Sequence, residues 1–390
     1  MPADQTIFLL FEIGLLIVLS SLVSESFKKL KLPSVVGAII VGIFIGGPGG
    51  LDIVSDLSII NLLAVFGSIL ILFTTGLEFD ASAFWKVGKK AFLFTTIGVI
   101  LSVVFGYFIG LGVGMSWQAS ILLGAVIAPS GTTVIATMLT SDGVVETKPG
   151  STLLTAAVVD DIEGVLLLTV VLGVITQGTF SVSGLLQVGI VATLFIFVSI
   201  YVGGKYFPVL IRKFERFLSD EVLFAVLLGL GIMLAFVSTQ VGLAAVTGAF
   251  IMGAIIPSKK VGEKLANRIH LMKEIFAAVF FTSIGLAMSP LGIIAALPVS
   301  LVILGVAFAA RVAGGLVGGG LAGFRGKTLW ALTIGLAVRA EMSFIIAYEG
   351  VSMGIVGNDF FTITAITVIG SMIVVIPLFS KLIKQTVPQT

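Results

Sequence analysis

The chain has 390 residues, 58% of them hydrophobic and 11% charged, with a mean hydropathy of +1.22. Ordinary soluble domains carry about 25% charged residues, so this composition is that of an all-α polytopic membrane protein. The formal net charge is +2, and there is no basic cluster and no P-loop or zinc-type spacing. Nucleic-acid binding, nucleotide-driven pumping and enzyme chemistry on a resident cofactor therefore have no support. Cysteine is absent and His270 is the single histidine, which excludes disulfides and a histidine-built metal site.

The first residues, MPADQTIF, lack the basic start of a signal peptide, so the first apolar segment is expected to be kept as a helix. Apolar runs bounded by charge, Pro or Gly predict thirteen transmembrane helices. They lie near 6–24, 33–49, 58–78, 90–113, 117–140, 150–176, 184–211, 221–238, 241–257, 271–288, 291–322, 327–353 and 360–383, here spans I to XIII. Lys and Arg set the orientation. Lys28, Lys29 and Lys31, then Lys86, Lys89 and Lys90, then Arg212, Lys213 and Arg216, then Lys259, Lys260, Lys264 and Arg268, and finally Lys381 and Lys384 crowd the odd-to-even connections. The opposite connections hold acids such as Asp52, Asp56 and Asp359. Span I is thus expected to start outside, and the chain to end in the cytoplasm. Glu12 and Glu349 are expected at solvated helix ends, and His270 in a cytoplasmic connection away from any transport site.

Span V carries AVIAPSGTTVIATM, with Pro129, Ser130, Gly131, Thr132 and Thr133 in mid-span. Proline removes a backbone donor and leaves carbonyls unpaired, and glycine permits unwinding. Freed carbonyls and hydroxyls are hard oxygen donors suited to sodium, and the first half-helix turns its negative end to the gap. Span VI carries AVVDDIEGVLLL, where Asp160, Asp161 and Glu163 interrupt an apolar run. Each central carboxylate costs roughly 2.5–3.5 kcal/mol on insertion scales, so three of them need a hydrated cavity or partners. Span XI adds Arg311, which cannot shed its proton and needs an anionic partner. Span XII is interrupted by VRAEMSF, with Arg339, Glu341 and Ser343. Fully ionised, Asp160, Asp161, Glu163 and Glu341 outweigh Arg311 and Arg339, and a bound cation or protons must supply the balance. A site that accepts either sodium or protons makes them compete, and competition with alternating access yields exchange.

The chain also repeats itself. GAIIVGIFIGGP, from Gly37, recurs as GAFIMGAIIP, from Gly248, and FTTGLEFD, from Phe73, as FTSIGLAMS, from Phe281. The same offset carries span V onto span XII and span VI onto span XIII. Spans I to VI match VIII to XIII with VII as connector, and a period of seven spans makes the two six-helix repeats inverted, as in secondary transporters with a midplane site.

These features together, the inverted repeat, APSGTT, AVVDDIEG, Arg311 and VRAEMSF, resemble the sodium/proton antiporters of the cation:proton antiporter superfamily, in particular microbial members with an Asp-Asp pair. The resemblance spans nearly the whole chain. It implies Asp161 as the main ion-binding carboxylate with Asp160 as partner, Ser130 to Thr133 at the crossing of two discontinuous helices, and Glu341 and Arg339 at half-helix ends. Sodium would be held at Asp160, Asp161 and Thr132. It also implies a homodimer in the plasma membrane with no cofactor. Residues 1–89 and 220–290 would be the scaffold, 90–176 and 291–390 the moving core, and 177–219 the linker.

Three positions depart from the family pattern: Arg311 where many members have Lys, Glu163 where they have an apolar residue, and Ala340 where they have Gly. Glu163 is expected to be the ion-pair partner of Arg311 rather than a further proton carrier. Stoichiometry stays open. If Arg311 holds an aspartate, one proton returns per sodium; if Glu163 takes the arginine, both aspartates load protons and net charge moves. The function expected is sodium/proton antiport, with lithium as a further substrate. The alternative is a potassium/proton antiporter, although such relatives often carry a cytosolic nucleotide-binding domain and only a few residues follow span XIII. A cation channel would need a filter-like segment, and a sodium-coupled organic-anion symporter fits poorly with the surplus of buried acid.

Overall fold

A computed structural model describes residues 3–29, 33–46, 50–51, 53–54, 57–78, 81–176, 182–214, 217–240, 243–256 and 263–386. They form fifteen helices and, among the described residues, no strand. In order these are α1 (Ala3–Lys29), α2 (Ser34–Ile45), α3 (Leu57–Glu78), α4 (Ala81–Gly112), α5 (Trp117–Val126), α6 (Thr132–Ser141), α7 (Lys148–Thr176) and α8 (Val182–Phe214). The second half of the chain gives α9 (Asp220–Gln240), α10 (Ala245–Ile255), α11 (Glu263–Leu286), α12 (Pro290–Leu321), α13 (Gly326–Gly335), α14 (Glu341–Ser352) and α15 (Asp359–Ile383). Among the described residues seven helices are long and apolar enough to cross a membrane by themselves. The α5/α6 and α13/α14 pairs are the interrupted spans V and XII.

Helices α4 and α11 begin earlier than hydropathy predicts, at Ala81 and Glu263. Charge ends an apolar run but does not end a helix, because Lys and Glu are good helix formers. His270 consequently lies on α11 rather than in a connection, exposed beside Glu274. Glu12 is also corrected: it is buried within α1 rather than solvated at a helix end. Lys31, Asp52, Asp56, Arg216, Lys259 and Lys260 lie outside the described residues, as do the side chains of Lys86, Lys89, Arg212 and Lys264.

The chain divides into two compact units. The first comprises Met1–Ala81 and Leu172–Pro290, in which α3 packs on α10 and α11, and α2 on α1 and α11. The internal repeat is visible in its glycines. A Cβ added at Gly42 would lie 2.1 Å from the carbonyl oxygen of Thr282, and one at Gly253 would lie 2.2 Å from that of Phe73. Reciprocally, a Cβ at Gly285 would lie 2.1 Å from the Ile39 oxygen and one at Gly76 2.1 Å from the Phe250 oxygen. The α2–α11 contact is thus the repeat mate of the α10–α3 contact, and both need backbones closer than any side chain allows.

The second unit comprises Ser82–Val171 and Leu291–Thr390. Here α4 and α12 start 209 residues apart, as do α5 and α13, and α6 and α14. The two interruptions therefore occupy the same repeat positions. Their causes differ. After α5, Pro129 withholds a backbone donor and biases Ala128 away from helix. After α13 there is neither Pro nor Gly; the chain is held open by side chains described below.

Since a Cβ at Gly76 would collide with backbone, Gly76→Ala should lower stability by about 1–3 kcal/mol. Gly229→Ala, whose Cβ would meet nothing within 4 Å, should not. The check is thermal unfolding in detergent, where only the first variant should show a depressed midpoint.

Candidate functional site

The candidate side chains gather in the second unit, where the two interruptions touch. The Gly131 N–H donates to the Val338 carbonyl at 3.0 Å, and a Cβ at Gly131 would lie 2.4 Å from the Ala340 Cβ. With alanine at 340, position 131 has room only for glycine.

Each half-helix end leaves unpaired backbone groups and a partial charge. Carbonyl ends are met by donors. Arg311, 1% exposed on α12, donates through Nε to the Leu336 carbonyl at 3.2 Å and through Nη1 to that of Ala128 at 3.3 Å. Arg339 Nη1 also donates to Leu336 at 3.2 Å, and the Ser343 hydroxyl donates to the Val126 carbonyl at 2.7 Å. The amide ends are met by carboxylates. Glu341 Oε1 accepts from the Thr133 hydroxyl at 2.7 Å and from its N–H at 3.4 Å, in the first turn of α6, while itself opening α14. Asp160 Oδ2 accepts from the Ser130 N–H at 2.5 Å. The Arg339 N–H donates to the Ser371 hydroxyl of α15 at 2.9 Å, which is how a break without proline is held.

Asp160 is fully buried and its Oδ1 lies 2.6 Å from Arg311 Nη2. This corrects the expectation that Glu163 would take the arginine. Glu163 is buried too, but its Oε1 accepts from the Thr96 hydroxyl of α4. Asp161 is buried next to Asp160. Gly164 completes the face of α7 turned to the crossing: its position is 3.1 Å, measured from an added Cβ, from Pro129 Cβ and 3.3 Å from Met342 Cε. Asp160 and Asp161 precede it by four and three residues and so border that face.

Two buried hydroxyl oxygens, Ser130 Oγ and Thr132 Oγ1, have no hydrogen-bond partner among the described residues. Buried polar atoms are seldom left so, and both are hard oxygen donors. Thr133 is instead engaged with Glu341. Thr96, Ser371 and the bond made by Ser343 escaped the sequence reading. Their only signal was a hydroxyl in an apolar helix, which is common and usually satisfied by a carbonyl one turn back.

The sequence model of the family described as "Sodium/hydrogen exchanger, transmembrane" matches residues 8–381. A Bacillus cereus protein named a probable sodium/proton antiporter is 29% identical over 354 residues, covering 90% of this chain and 93% of its own. A sodium/proton antiporter of Enterococcus hirae is 27% identical over 363 residues, covering 92% and 94%. In fold the chain is similar to the solved structure of a sodium proton antiporter from Methanocaldococcus jannaschii, with a TM-score of 0.76, 17% identity and coverage of 98% and 100%.

Removing one partner of a buried ion pair strands the other and costs about 3–5 kcal/mol. Arg311→Met should destabilise the protein by that amount, and adding Asp160→Asn should restore part of the loss. Strictly additive losses in detergent unfolding would mean that the two residues are not coupled.

Proposed function

The chain belongs to the sodium/hydrogen exchanger family, and from that premise we propose that it is a secondary antiporter exchanging sodium for protons by alternating access. One asymmetry carries the reading. Of two adjacent buried aspartates, Asp160 is committed to Arg311 and the Ser130 N–H, whereas Asp161 borders the crossing where two buried hydroxyls have no hydrogen-bond partner among the described residues.

In the proposed cycle Asp161 alternates between a proton and sodium. Ionised, it binds the cation together with the hydroxyls of Ser130 and Thr132, with Asp160 adding fixed negative charge and Thr133 and Glu341 holding the start of α6. Protonated, it releases sodium. The guanidinium of Arg311 cannot give up its proton, so a proton reaching Asp160 would have to break a buried ion pair. Asp160 stays ionised and a single proton returns per sodium, making the exchange electroneutral. All of these residues belong to one compact unit, which supports movement of the site as a body.

We further propose that α4–α7 and α12–α15 form this moving core, and that the helices of the other unit form a scaffold through which two copies pair in the plasma membrane. The exposed Lys28 at the end of α1 and Lys384 after α15 suit a cytoplasmic surface, with the N-terminus outside.

The test is proton-gradient-driven uptake in proteoliposomes with sodium, lithium and potassium. Asp161→Asn keeps the shape and removes the titratable charge, so exchange should be lost while the protein still folds; exchange surviving at saturating sodium would refute the assignment. Thr132→Ala should raise the KM for sodium several-fold with little change in maximal rate. An unaltered KM would remove that hydroxyl from the ion's shell, and potassium transported in preference to sodium would overturn the proposed substrate.

A further inference from the structure

Gly98 has no side chain, yet it borders the guanidinium that joins the two interruptions. Helices α4 and α12 approach so closely that a Cβ added at Gly314 would lie 2.5 Å from the Gly98 Cα and 3.0 Å from the Ile97 carbonyl oxygen. Arg311 and Gly314 are three residues apart on α12 and share a face, so this approach lays the arginine side chain along the backbone of α4. Gly98 is buried within that helix. For a Cβ built on Gly98, the three nearest atoms all belong to Arg311: Nη1 at 3.0 Å, Cζ at 3.3 Å and Cδ at 3.4 Å. Gly314 is bare because a backbone lies against it, and Gly98 because a guanidinium does.

Non-bonded atoms rest at roughly 3.5–4.0 Å, so a methyl at Gly98 would push Arg311 away by a few tenths of an ångström. The arginine has no slack to give. Nη1 bonds the Ala128 carbonyl at 3.3 Å and Nε that of Leu336 at 3.2 Å, both at or beyond the long end of the roughly 2.7–3.2 Å range of such bonds. Nη2 meets Asp160 at 2.6 Å. These acceptors follow α5, follow α13 and lie on α7, and a rigid planar fork cannot shift toward one without changing its distance to the others. A lysine at this position would have no atom where Nη1 stands. We propose that Gly98 is a positioning residue that fits the site to arginine: its missing side chain sets the guanidinium, and through Arg311 it fixes Asp160 and the Ser130 N–H beside the sodium site. The fit of glycine to arginine stands on packing alone; its effect on sodium rests on the exchange reading above.

The experiment is a double-mutant cycle in the full chain, with Gly98→Ala, Arg311→Lys and the two together. It is read by thermal unfolding in detergent and by the KM for sodium and maximal rate in proteoliposomes. Alanine favours a helix over glycine, so Gly98→Ala should raise the unfolding midpoint in the Arg311→Lys background and lower it in the wild type. In the wild type it should also raise the KM several-fold with a much smaller change in maximal rate. In the Arg311→Lys background, itself impaired, it should change neither further. A midpoint lowered equally in both backgrounds would make Gly98 ordinary helix packing and overturn the inference, as would an unaltered KM in Gly98→Ala. If Gly98→Ala alone does not fold, the double variant should; its failure to fold also overturns the inference. Absence of sodium exchange in the wild type would sink the exchange reading and leave the unfolding cycle intact, so the two ideas fail separately.

Discussion

Arg311 carries a charge it cannot discard, at a depth where water does not reach it, and the way that charge is balanced governs the rest of the site. Its guanidinium spans the gap between the C-terminal ends of α5 and α13, bonding a carbonyl beyond each, and sets its third face against Asp160. A lysine could offer the charge but not this planar fork of donors. Asp160 in turn fixes the first residue after Pro129 through the Ser130 N–H. The ion pair thus ties together α12, both interruptions and α7. It also distinguishes two neighbouring aspartates: Asp160 is held by Arg311 and the Ser130 N–H, and in the proposed cycle it is Asp161 that exchanges proton for sodium.

The interruptions obey the same logic of compensated ends. Positive side chains lie at the carbonyl ends of α5 and α13, and Glu341 meets the amide end of α6 while opening α14, so side chains of suitable charge lie at the ends of the half-helices. Among the buried hydroxyls at the crossing itself, the oxygens of Ser130 and Thr132 have no hydrogen-bond partner among the described residues. These two hydroxyl oxygens are hard donors of the kind a sodium ion takes, and the proposed function places the ion there.

Much of this was legible in the sequence because membrane burial makes polar residues expensive and hence informative. Asp160, Asp161, Glu163, Arg311, Arg339 and Glu341 stood out as intrusions in apolar runs, and the break at Pro129 had a backbone cause. The second break had none, yet the repeat offset led to it, and both breaks begin at equivalent positions 209 residues apart. Pairings were not legible. Whether Arg311 meets Asp160 or Glu163 depends on the rotation of α7 against α12 and α4, which no spacing within α7 encodes. Thr96 and Ser371 were invisible for a related reason: their partners lie on helices distant in the chain. The early starts of α4 and α11 were missed because hydropathy reports burial in lipid and not helicity.

The central claim is that Arg311 removes Asp160 from proton traffic, leaving one proton to exchange for one sodium. It is tested most directly by sodium/proton exchange in sealed proteoliposomes, with potassium and valinomycin setting the membrane potential and no pH or sodium gradient at the start. The account predicts that an imposed potential of either sign drives no exchange, and that sodium addition under a gradient gives no transient current. Potential-driven sodium movement, or a current that reverses with the gradient, would mean that Asp160 or Glu163 also loads a proton, and would contradict it.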